Sequence, residues 1–122
     1  MKDSSYCTPY QREISNEERL LLIFLLEREA PDRLGQIESL KVIAICGCGG
    51  CPTVLFGSSF DVDPATQGNY ILADYSGKTA AGGLVGVMLW ANDQALTELE
   101  GYSIDGVEPV VWPAPLSLRA LA

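Results

Sequence analysis

The hydrophobic pattern changes period at Lys41, and that change sets the fold class. Before it, apolar residues follow helical spacing. After it, they come in short β-branched runs broken by glycine, proline and asparagine. Ser15-Asn16-Glu17-Glu18 carries a capping box, with serine at the N-cap and glutamate three residues later, and predicts a helix running to about Glu29. Its apolar run Leu20–Leu26 is wider than a single stripe, which predicts burial on more than one side. Pro31 suits the first position of a second, short helix, where Leu34, Ile37 and Leu40 recur every three residues and Gly35 weakens the element.

About five strands follow. VIAIC (42–46) and PTVLFGSS (52–59) read as a hairpin across a glycine-rich turn, and YILADY (70–75) is a third strand. GLVGVMLWA (83–91) and ALTELEGYSI (95–104) flank Asn92-Asp93-Gln94 as a second hairpin. DVDPATQG (61–68) and SGKTAAGG (76–83) read as loops. The tail VEPVVWPAPLSL holds three prolines, so it is extended and cannot be a central strand. The expected architecture is therefore α+β. Two N-terminal helices pack on a mainly antiparallel sheet of about five strands in two hairpins, all within 15–122. Residues 1–14 read as a flexible arm, with Pro9 breaking regular structure.

Strands 42–46 and 84–90 are apolar on both alternating faces, whereas an antiparallel sheet with one wet face alternates. The second face is thus expected to be covered, either by the tail with Trp112 or by a second copy in a homodimer.

Composition narrows the chemistry. With 122 residues the chain makes one domain, and 48% hydrophobic against 20% charged residues places it among folded proteins. The net charge of −8 argues against nucleic acid, whose phosphates need lysine and arginine, and suits a basic protein partner. No signal-peptide h-region follows the first charges, and the longest apolar run is far short of the roughly 20 residues a bilayer requires. The expected compartment is cytoplasmic, with no membrane association. Thiols stay reduced there, so four cysteines signal metal, catalysis or packing before disulfides. The absence of histidine removes Ser-His-Asp and Cys-His catalysis and any imidazole zinc ligand.

Three of those cysteines fall in Cys46-Gly47-Cys48-Gly49-Gly50-Cys51-Pro52-Thr53. If the flanking strands pair, Cys46 and Cys51 sit roughly opposite one another with Cys48 between them. Three thiolates can then converge on zinc, with Cys7 the fourth ligand if the N-terminal arm folds over the hairpin. Alternatively Cys48 and Cys51 form a C-x-x-C redox pair, though no helix follows to lower a thiol pKa. The plainest reading makes Cys46 and Cys51 small apolar residues inside a sheet.

Other signals are weaker. Ser76-Gly77-Lys78-Thr79 matches only the end of a P-loop, because Leu72 stands where its first glycine belongs. Asp61 and Asp63 read as solvated surface. Glu98, Glu100 and Tyr102 share one strand face and read as an acidic edge suited to a basic partner. Trp90 and Trp112 read as core.

The cysteine–glycine run ending in Cys46, Cys48, Cys51, Pro52 and Thr53, with the later Leu99-Glu100-Gly101-Tyr102, resembles a group of small bacterial proteins. Those proteins carry a similar run ending in Cys-Pro-Thr and a later Leu-Glu-x-Tyr strand. The resemblance spans about Glu18 to Pro113 and implies one shared fold, without an activity. Gly50 is an extra residue relative to the tighter run of the group and displaces the third sulfur. With no complete catalytic constellation, the first expectation is an interaction module of inhibitor or immunity type rather than an enzyme. Zinc binding through the cysteine hairpin and thiol redox chemistry are the alternatives.

Overall fold

Helix, hairpins and tail close around one sheet in the computed structural model, which describes residues 7–48, 50–60, 70–107 and 109–121. The domain is α+β, as the change of period at Lys41 implies, but the sheet has seven strands rather than five. They are β1 (Cys7–Glu13), β2 (Lys41–Cys46), β3 (Val54–Gly57), β4 (Tyr70–Lys78), β5 (Leu84–Ala91), β6 (Leu96–Ser103) and β7 (Arg119–Ala120). Their order across the sheet is β1-β2-β3-β6-β5-β4-β7, with every pairing antiparallel.

The two strands beyond expectation are its edges. Residues 7–13, expected in a flexible arm, pair with β2 as β1. Pro9 is tolerated because an edge strand need not donate outward, and the register shifts between Pro9 and Arg12, as at a bulge. Residues 1–6 of the expected arm lie outside the described residues, as does the 61–68 loop with Asp61 and Asp63. At the other edge, β7 is a two-residue pairing of the tail with β4. Ser76, Gly77 and Lys78, expected in a loop, extend β4 instead. The turn begins at Thr79, where Gly82 takes a positive φ of 89° that favours glycine.

Helix α1 (Asn16–Glu29) begins as the sequence requires: Glu18 N–H donates to Ser15 Oγ, and the Glu18 carboxylate accepts from Ser15 N–H. Leu21, Leu22, Leu25 and Leu26 are at most 1% exposed. Burial on that scale stabilises by about 1.5–3 kcal/mol per side chain. The rest of the apolar run is wetter. Ile23 and Phe24 are half-buried and Leu20 is exposed. The Arg28 guanidinium covers the Phe24 ring at 3.5 Å. The second helix is a 3-10 helix, Pro31–Ser39, whose period of three explains the spacing of Leu34 and Ile37.

The leucines of α1 pack on Val42, Val54, Phe56, Val87, Leu89 and Leu99. The tail lies on this same face, not on the opposite one. A Cβ at Gly77 would meet Leu118 Cδ2 at 2.8 Å, and one at Gly101 would meet Trp112 Cζ3 at 2.9 Å. Gly77 and Gly101 alternate in phase with core residues Tyr75 and Leu99. On the second face Ile43, Ala44 and Leu55 form a small buried cluster, and Tyr102 lies flat over Gly86, its cross-strand partner.

Candidate metal centre

The turn between β2 and β3 is clamped on three sides. Cys46, the last residue of β2, donates its N–H to Thr53 O at 3.2 Å. Thr53 Oγ1 is buried against β6, accepting from Gly101 N–H at 3.1 Å and donating to Gly101 O at 3.3 Å. From the tail, Val110 N–H donates to Gly50 O at 2.9 Å. Pro52 and Trp112 close over Gly101, where a Cβ would lie 2.9 Å from both, so that position demands glycine. The Cys-Pro-Thr ending therefore has a role of its own. Its proline packs on β6 and its threonine bolts the turn to β6.

Between these clamps stand the three sulfurs. The thiols of Cys46, Cys48 and Cys51 all lie within 4.8 Å of one another. Cys48 Sγ is 3.1 Å from Cys51 Sγ and 3.4 Å from the N–H of Gly50. Cys51 Sγ is also 3.4 Å from Thr53 Oγ1. Cys48 is exposed, while Cys46 and Cys51 are half-buried. Their proton affinities diverge accordingly. The contact with Cys51 and the Gly50 N–H stabilise the Cys48 thiolate and bring its pKa down to about 7. Burial pushes the Cys46 thiol up to about 11. Three sulfurs this close can share one metal ion, and a cation among them would reverse the penalty on Cys46.

Cys7 enters through the backbone: β1 pairs with β2 so that Cys7 is the register partner of Cys46. The sequence reading that the N-terminal segment returns to the hairpin thus has its backbone counterpart in β1.

Beside the sulfurs lies a cleft of about 450 Å³, with Cys46, Cys51, Tyr10 and Trp112 on its walls. Arg12 and Glu18 also line it, and the Arg12 guanidinium grips Glu18 with two bonds of 2.9 and 2.8 Å. Glu18 is 2% exposed. Burial alone would push its carboxyl up. The bonds from Arg12 and Ser15 outweigh that and hold it below the usual carboxylate range. Arg12 and Glu18 neutralise each other, so this pair braces the wall of the cleft. Sequence reading missed it because its two members are split between β1 and α1.

The acidic edge expected at Glu98, Glu100 and Tyr102 is not an edge. The three do share a face, but β6 lies between β3 and β5. Glu98 is only 2% exposed and Glu100 accepts a bond of 3.0 Å from Trp90 Nε1. The surrounding carboxylates add to burial in raising the Tyr102 pKa. A strand face legible as acidic is here an interior strand of the sheet. Trp90, read as core, is half-buried on this face. No helix among the described residues is long and apolar enough to cross a membrane.

Compared with known protein families, curated proteins and solved structures, the chain matches none.

Proposed function

We propose that the β2–β3 turn is a structural zinc site, with Cys46, Cys48 and Cys51 as ligands and Cys7 as the fourth. The observation that carries this reading is the convergence of three thiols within 4.8 Å on a turn clamped by β6 and the tail. Zinc–sulfur bonds of about 2.3 Å in a tetrahedron put neighbouring sulfurs about 3.8 Å apart, so small side-chain adjustments suffice. Gly50 N–H already approaches Cys48 Sγ, the kind of amide contact that steadies a metal-bound thiolate. Simple packing accounts poorly for the group, because Cys48 is exposed. Register supports Cys7, since no other Cys, Asp or Glu of the described residues joins the cluster.

The site would hold β1, β2, β3 and through them β6 at one end of the sheet. Structural zinc contributes on the order of 10 kcal/mol of binding free energy in small domains, comparable with the whole stability of a domain this size. The test is native mass spectrometry of the reduced protein purified without chelator, followed by thiol alkylation with and without zinc. One zinc per chain with four thiols shielded is the expected result. A metal-free mass after zinc addition, with all four thiols alkylating freely, would overturn the proposal.

A further inference from the structure

The three sulfurs of the turn are not equivalent. Cys48 alone is exposed, and its sulfur is 3.1 Å from that of Cys51, two glycines further along the chain. Cys46 is held differently. It terminates β2, its N–H is bonded to Thr53 O, and only one residue separates it from Cys48. An oxidant approaching from solvent meets Cys48 first, and the nearest partner able to resolve the adduct is Cys51. The Gly49-Gly50 spacer carries no side chains to oppose closure of the C-x-x-C ring.

We infer that Cys48 is a modification site through which small-molecule disulfides discharge the metal, leaving a Cys48–Cys51 disulfide. The inference rests on the zinc reading and adds its regulation. The Cys48 thiolate attacks one sulfur of a disulfide RSSR. The Cys48–S–R bond forms, the S–S bond breaks, and RS⁻ leaves with the electron pair. The Cys51 thiolate then attacks the Cys48 sulfur, forming the internal disulfide and expelling the second RS⁻. Two protein thiolates have lost two electrons, RSSR has gained them as two RS⁻, and charge is conserved. Zinc keeps only Cys46 and Cys7, two ligands where a structural site needs four, and dissociates as Zn²⁺. Zinc loss would release the same end of the sheet that zinc holds, so the oxidised protein becomes looser around β1.

The test uses the full chain, reduced and zinc-loaded, exposed to glutathione disulfide without oxygen. Zinc release is followed with a chromogenic chelator, and the disulfide is mapped by mass spectrometry under non-reducing conditions. One zinc released per Cys48–Cys51 disulfide is expected. The Cys51→Ser variant, reduced and treated alike, should stop at one glutathione on Cys48. Failure of the two readings separates cleanly. A reduced chain that takes up no zinc removes the metal reading and this one with it. A chain that binds zinc and keeps it, with Cys48 unmodified, removes this inference alone, as does a disulfide that joins Cys46.

Discussion

Two hairpin turns of the same sheet close by different chemistry. Between β5 and β6, Asn92 makes the inner bonds of the turn. Its N–H donates to Ala95 O at 2.9 Å, and its Oδ1 accepts from the N–H groups of Gln94 and Ala95 at 2.9 and 2.8 Å. That turn is complete in oxygen and nitrogen, and Asn is the residue whose side chain makes it so. Between β2 and β3 the corresponding inner partners are sulfurs: Gly50 N–H reaches Cys48 Sγ, and Cys51 Sγ meets Thr53 Oγ1. Thiols are weak donors and acceptors, so this turn gains far less from its own contacts. Both turns are also held from outside, the first by Arg33 and Gln36 and this one by Gly101 and Val110, but only here are the inner groups three sulfurs. The difference lies inside the two turns: oxygen and nitrogen close one, and three thiols crowd the other.

Substitutions in the two turns should differ in their effect on zinc. Cys46→Ser should abolish zinc retention and lower apparent stability by well over the roughly 1.5 kcal/mol of a single hydrogen bond, read by denaturant unfolding with and without chelator. Chelator should make no further difference to that variant. Thr53→Val removes the bolt to β6 and leaves the buried Gly101 N–H unsatisfied. It should cost about 1–3 kcal/mol and weaken zinc binding as well. Asn92→Ala should cost about 1 kcal/mol with zinc affinity unchanged, because that turn shares nothing with the sulfurs. Equal effects of the last two on zinc would erase the distinction between the turns.

Within the sulfur turn, Cys48 and Cys46 should differ in reactivity. In metal-free protein, iodoacetamide should alkylate Cys48 at a rate that rises through about pH 7. Cys46, with its thiol pushed up to about 11, should stay slow across the same range. Since the thiolate is the nucleophile, a lowered pKa places the rise at lower pH and a raised one defers it. Mapping the alkylated peptides over pH 5–9 checks the order, on a scale where an unperturbed thiol titrates at about 8.5.

What the sequence made legible was local. The capping box at Ser15, the three-residue recurrence of the 3-10 helix and both hairpins follow from neighbouring residues, and all appear. The convergence of Cys46, Cys48 and Cys51 followed from the same hairpin logic. What failed was lateral. Nothing in LTELEGYS says whether its neighbours are strands or solvent, so Glu98 read as edge and lies 2% exposed in the interior. Pro9 marked an arm by its missing N–H, yet an edge strand with a bulge absorbs that defect. Gly77 read as flexibility and is instead the gap into which Leu118 packs. The pairing that brings Cys7 opposite Cys46 links residues 39 positions apart, and spacing along a chain carries no register.

Whether a metal organises the sulfur turn is read from zinc K-edge X-ray absorption on the loaded, reduced chain. The expected result is a shell of four sulfurs at about 2.3 Å, with no contribution from shorter oxygen or nitrogen ligands. A shell dominated by oxygen at about 2.0–2.2 Å would mean that zinc sits on surface carboxylates instead, and would contradict the account.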